Sequence, residues 1–228
     1  LEAELLLVLS LGFVLGLEHS ADADHVVAVS TIVSKNKSLV KSSILGTLWG
    51  VGHTFTLLVA GFTVLLFKVT LSDMMRFPFE FAVGIMLVAL GVSVLRRSLW
   101  DRVHFHRHTH GAQSHIHLHS HRAGESHDHK HTPLLIGMIH GLAGSAVLLL
   151  LVLSTLDSLF LGLVYILVFG VGSILGMMGL SAVISLPFIL SAERSAKLNR
   201  CLRAMSGFLS IGLGILIVLK ELNLVGVF

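Results

Sequence analysis

Leu5 to Leu17 reads LLLVLSLGFVLGL, Glu18 to His25 reads EHSADADH, and Val26 to Val33 reads VVAVSTIV. Two apolar runs thus enclose three carboxylates and two imidazoles. A charged side chain at bilayer depth costs at least about 2.5 to 3.5 kcal/mol, so acids and histidines side by side within such a segment mark an ion pathway or site. A continuous helix from Glu2 to Lys35 would be about 50 Å long, against a hydrocarbon core of about 30 Å. The polar run is therefore read as a break or a strong tilt. On an unbroken helix Glu18, Asp22 and His25 share a narrow arc, His19 borders it, and Asp24 points away. A break would swing Asp24, or a backbone carbonyl, onto an ion.

Working outward, composition sets the class. Of 228 residues 54% are hydrophobic and 13% charged, and mean hydropathy is +0.88, which describes an integral membrane protein and not a soluble domain. Blocks of spanning length run from Leu5 to Val33, Ile44 to Phe67, Phe79 to Leu95, Pro133 to Leu153, Phe160 to Leu190 and Met205 to Leu219. They predict six transmembrane helices in an all-α fold. The blocks are continuously apolar, whereas a barrel needs short alternating strands. The first block lacks a basic start, so no cleavable leader is expected.

Charge orients the chain. Lys35, Lys37 and Lys41 follow helix 1, Arg96, Arg97, Arg102, Arg107, Arg122 and Lys130 follow helix 3, and Arg194, Lys197, Arg200 and Arg203 follow helix 5. Only Lys68, Arg76 and Lys220 lie on the other side. The positive-inside rule places the first three groups in the cytoplasm and both termini outside. The net charge of +3 reports topology, not nucleic-acid binding. At 1.5 Å per residue His25 lies about 15 Å from Lys35, His53 about 18 Å from Lys41 and His140 about 15 Å from Lys130, a common depth near the midplane.

The sequence also repeats. Trp49-Gly50-Val51-Gly52-His53 is answered by Phe169-Gly170-Val171-Gly172-Ser173, Gly84 and Gly91 by Gly207 and Gly214, and His19 by His140. All offsets fall between about 120 and 123 residues. Three spans reverse the chain direction, so the second unit must be inverted, as in secondary transporters with a midplane site between repeats. This divides the chain into a first three-helix unit (1–100), a connecting segment (101–132) and a second three-helix unit (133–228). Ser173 stands where the first unit has His53, and His140 is the second unit's candidate ligand. Helix 4 is expected to pack against helix 1, with His140 facing the pocket.

The connecting segment carries His104, His106, His108, His110, His115, His117, His119, His121, His127, His129 and His131. With Gly, Ser and Arg between them and little apolar content, they predict a mobile cytoplasmic loop that buffers or delivers metal without imposing geometry.

Asp22, Asp24, His19, His25 and His53 supply oxygen and imidazole ligands suited to nickel, cobalt, zinc or manganese. Glu18 and Ser173 are secondary or gating candidates. His19-Ser20-Ala21-Asp22-Ala23-Asp24-His25 fits the H-x-x-x-x-D-H signature of the nickel/cobalt permeases, and Gly52-His53-Thr54 resembles their second histidine motif. The chain most resembles the short branch of that family associated with urease maturation, and the related efflux proteins. That resemblance implies that His19, Asp24, His25 and His53 are needed for divalent-metal transport. It also implies metal chaperones or metalloenzyme maturation proteins as cytoplasmic partners. The acidic motifs of the second half of the eight-helix members are missing.

The function expected is transport of Ni2+ or Co2+, with Zn2+ also compatible, through a midplane His/Asp site. Uptake across the inner membrane is favoured over efflux. A dication crossing 100 mV inward gains about 4.6 kcal/mol, enough for roughly thousandfold accumulation. No cofactor is expected, and no G-x-x-x-x-G-K-[ST] motif supplies an ATPase. A zinc-dependent intramembrane hydrolase is the alternative of another class, though it would need a general base and the chain has no H-E-x-x-H. A thiol-redox protein would need paired cysteines, and Cys201 is alone.

Overall fold

The computed structural model describes residues 2–68, 73–100, 104–110, 113–119, 131–141 and 158–226. Seven helices lie in these residues: α1 (Glu2–His19), α2 (Ala23–Val33), α3 (Leu39–Phe67), α4 (Asp73–Trp100), α5 (His131–His140), α6 (Leu159–Arg194) and α7 (Ala196–Leu224). Serines open three of them. The hydroxyls of Ser38, Ser158 and Ser195 accept from the amides of Lys41, Leu161 and Leu198, at 3.5, 3.4 and 3.3 Å, satisfying donors that a helix start leaves free.

Four helices, α3, α4, α6 and α7, are long and apolar enough to cross a membrane, and α1 with α2 form a fifth span if counted as one. The protein is a multi-pass membrane protein. Each of these four helices extends beyond the block drawn from hydropathy, because helical hydrogen bonding continues into the charged ends where hydropathy falls. Of the expected Pro133–Leu153 helix, α5 is the described part, and residues 142–153 lie outside the described residues.

The first span does break. Ala21 and Asp22 donate to the carbonyls of Glu18 and His19 at 2.9 and 3.1 Å, a tighter turn than the α-helix makes. Asp22 then adopts an extended ψ of 148°, and its carbonyl receives Val26 N–H at 2.9 Å to start α2. The two halves meet at a bend of 54°.

Packing follows a pattern of pairs. The largest helix contacts are α3 with α6, α4 with α7, α1 with α6 and α5 with α3. Among the described residues α5 runs along α3 and α1 along α6, and the expected contact between helix 4 and helix 1 is made through α2, where Asp24 and His25 meet His140. Glycines set the approach. A side chain at Gly16 would strike the carbonyl of Phe169, and one at Gly172 the carbonyl of Phe13. On the other side, Gly137 meets the carbonyl of Trp49 and Gly52 that of Leu134. Gly84 with Gly214 and Gly91 with Gly207 join α4 to α7. Small residues permit such backbone contact in a medium where lipid already satisfies apolar side chains.

The faces are arranged for lipid. Phe67, Phe160 and Leu216 are exposed by 68, 72 and 65%, while the interior holds Trp49, Tyr165, Leu57, Leu87, Ile166 and Met177. Buried among these are His19, His25, His53, His140 and several serines, the reverse of a soluble protein's distribution of polar groups.

Part of the connecting segment is described as strand. Backbone strands β1 (His104–His110) and β2 (Gln113–His119) pair antiparallel, with His104 opposite His119, His106 opposite His117 and His108 opposite His115. The physical reason is a period of two: histidine alternates with Phe105, Arg107 and Thr109, then with Ile116 and Leu118, a strand pattern containing β-favouring residues. His121, His127 and His129 lie outside the described residues.

Candidate metal centre

The break between α1 and α2 brings the polar run to the middle of the bundle. His19, the last residue of α1, and His25, in the first turns of α2, face each other with ring centroids 4.5 Å apart. His53 enters from α3 at 4.9 Å from His19 and 5.3 Å from His25. His140, at the end of α5, lies 4.2 Å from His25. The chain has 15 histidines, and the four outside the His-rich segment all meet here.

Carboxylates hold the rings. Asp22 Oδ2 accepts from His19 Nδ1 at 2.9 Å. Asp24 Oδ1 accepts from both the backbone N–H and Nδ1 of His25, at 2.9 and 3.0 Å, and its Oδ2 accepts from His140 Nε2 at 2.8 Å. His19 Nε2 and His53 Nε2 are 3.0 Å apart. With Nδ1 of His19 donating to Asp22, its Nε2 keeps the lone pair and His53 Nε2–H is the donor between them. His25 Nε2, His53 Nδ1 and His140 Nδ1 are buried without a hydrogen-bond partner.

Such a pocket suits a cation. Two triplets place one ligand atom per residue within 4.8 Å of the others: His19, His25 and His53, and Asp24, His25 and His140. Nitrogens bound to one ion at about 2.1 Å and at a right angle to each other are about 3.0 Å apart, the separation of the His19 and His53 Nε2 atoms. A carboxylate behind a histidine fixes the ring's orientation and raises its basicity toward metal. Asp22 does this for His19, and Asp24 for His25.

The remaining candidates divide. Asp22 is 52% exposed and Asp24 25%, so Asp22 sits at the rim and Asp24 between two buried rings. Glu18 is exposed on the last turn of α1, outside the buried ring cluster. Ser173 is fully buried with a hydroxyl that has no hydrogen-bond partner. It lies one turn beyond Phe169, whose ring stacks on His19 at 5.6 Å.

Two wall residues escaped the sequence reading as site members. Trp49 stacks on His25 at 5.9 Å and lies 5.6 Å from His140, and Phe169 does the same service for His19. Their signal was present in the spacing, since each precedes a polar site position, His53 or Ser173, by one helical turn and so shares its face.

A buried cluster of imidazoles with carboxylates at its edge, inside a bundle of apolar helices, defines an integral membrane protein with a centre able to hold a metal cation. The chain belongs to the family described as the cytochrome C biogenesis protein transmembrane region, which matches residues 26–216. It is 43% identical over 218 residues to the Urease accessory protein UreH of Bacillus sp. (strain TB-90), covering 94% of this chain and 91% of that relative. No solved structure matches it. The resemblance to the urease-associated branch, drawn from the histidine motif, agrees with this relative. Cys201, its only cysteine, is exposed.

Proposed function

We propose that the protein carries a divalent first-row transition metal, Ni2+ or Co2+, across the inner membrane, with His19, Asp22, Asp24, His25, His53 and His140 as the groups that replace the ion's water. The observation that carries this reading is the convergence of four buried histidines and Asp24 on one intramembrane pocket. Imidazole with carboxylate suits these ions and disfavours copper(I), which prefers sulfur. The relative's name supports delivery toward maturation of urease, a metalloenzyme, with metal chaperones or maturation proteins as partners on the cytoplasmic side.

The architecture that serves this function is a pair of inverted three-span units, 1–100 and 133–228, joined by the His-rich segment 101–132, which buffers metal. Matched contacts favour it. The Gly16–Phe169 and Gly137–Trp49 approaches exchange under the repeat offset, and so do the His19–Phe169 and His140–Trp49 ring contacts, both at 5.6 Å. Orientation rests on positive charge. Lys35, between α2 and α3, is lowered to about 8 by partial desolvation and by Arg97 and Arg203, so the connections after the first, third and fifth spans bring cations to one end of the bundle. That end is cytoplasmic by the positive-inside rule, and both termini are outside.

Counterflow of labelled Ni2+ and Co2+ in proteoliposomes, with pH gradient and potential set independently, tests the reading. Saturable flux that follows an inside-negative potential is expected for uptake. Liposomes no leakier to either ion than protein-free controls would refute it.

A further inference from the structure

The two triplets are not independent, because His25 belongs to both. We propose that the transported cation occupies two overlapping positions in turn, one between His19, His25 and His53 and the other between Asp24, His25 and His140, with His25 retained as a ligand in both. This rests on the transport reading above.

The chemistry of His25 permits it. Its Nδ1 donates to Asp24 at 3.0 Å, whereas its Nε2 is buried without a hydrogen-bond partner. The two ring nitrogens point in divergent directions. At the first position Nε2 is the ligating atom, Asp24 stands behind the ring as the orienting carboxylate, and Asp22 does the same for His19 at 2.9 Å. Three neutral nitrogens then hold the ion, with the His53 proton moved from Nε2, where it is donated to His19, to Nδ1. At the second position Asp24 becomes a ligand, through the oxygen now 2.8 Å from His140 Nε2, and His25 presents Nδ1. The ring proton leaves Nδ1 and Nε2 is protonated in its place, so His25 stays neutral and no net proton is taken up. His140 likewise releases Nε2 to the metal and carries its proton on Nδ1, which is buried without a hydrogen-bond partner. Asp24 and His25 thus exchange roles while the cation shifts from an all-nitrogen set to one containing a carboxylate.

Occupancy is alternate, not simultaneous. Each position needs His25 in a different protonation arrangement, so one ring serves both only by serving them one after the other. A divided path also answers a kinetic need. An ion held by every ligand at once would leave slowly, whereas one handed from three ligands to another three breaks only some of its bonds at each step.

Co2+ visible spectra and proteoliposome flux test this on the full-length protein. His53→Ala removes only the first position, His140→Ala only the second, and His25→Ala both, with the Gln variants at 53 and 140 preserving side-chain bulk. Histidines in the 104–131 segment are common to all the proteins and cancel in difference spectra. Expected are one midplane Co2+ in each of the 53 and 140 variants, with absorption bands that differ between them, and flux at least about tenfold lower in both. His25→Ala should lose that ion. Identical bands in the 53 and 140 variants, or one of the two binding nothing while the other matches the unmodified protein, would overturn the proposal in favour of a single position. If the two variants differ as expected but the unmodified protein moves no Co2+, the transport reading fails while the two positions stand.

Discussion

Asp24 ties two helices together through one carboxylate, taking the His25 ring on one oxygen and the His140 ring on the other. On an unbroken helix it would face away from His25, and hydropathy does not report where a helix breaks. Its residue type and depth were legible, its direction was not. His19, His25 and His53 were legible because histidine in an apolar helix stands out. Trp49 and Phe169 were not, because an aromatic in a membrane helix is unremarkable until a ring is found against it. Asp24→Asn keeps the shape and removes the charge, so calorimetry with Ni2+ or Co2+ should show affinity for the midplane ion falling by about 10- to 100-fold. Glu18→Gln, on the exposed side of α1, should change it little, and an equal loss from both would remove Asp24 from its special place. Protons compete with metal for imidazole lone pairs. Flux should therefore decline as the pH on the binding side falls, and a profile that rises with acidity would contradict histidine ligation.

Among elements, glycine decides how close the helices come. Adding a methyl group at Gly137 or Gly172 drives it into a backbone carbonyl of α3 or α1, and backbone cannot rotate aside as a side chain can. Gly137→Ala and Gly172→Ala are each expected to destabilise the bundle by about 1 to 3 kcal/mol, read as a lower melting temperature in detergent. Gly179→Ala, where nothing lies within 4 Å, should be neutral or slightly stabilising. These pairs were partly legible, since the glycines recur at the repeat offset, but which helix each one meets was not. The repeat offset of His140 from His19 suggested α5 against the first span, and α5 meets that span's α2 half at His140 while running mainly along α3. The β1–β2 pairing was not read from the sequence, because the abundance of histidine concealed the alternation. Replacing residues 104–131 by a Gly/Ser linker should lower the number of Co2+ ions bound at saturation and leave the tight intramembrane ion in place. Loss of that ion as well would move the principal site into the connecting segment.

For the molecule as a whole, the membrane class was readable without coordinates, because composition and apolar blocks are properties of long stretches and survive errors of a few residues. The ligand geometry was not, since it hangs on a few ångströms at one bend. The proposed inverted repeat also bears on energetics. Were the two units chemically identical, inversion would turn the outward-open form into the inward-open form, and symmetry would make the two equal in energy. The pocket is not so balanced: His53 faces Ser173 across the repeat, and the carboxylates belong to the first unit alone. An empty carrier of this kind should rest on one side of the membrane, displaced from an even distribution by the difference between an imidazole and a hydroxyl. Ser173→His restores part of the balance, and cysteine-accessibility labelling from the two sides should then find the resting populations closer to equal. The buried serine would in that sense be a bias weight, acting on where the protein waits when it carries nothing.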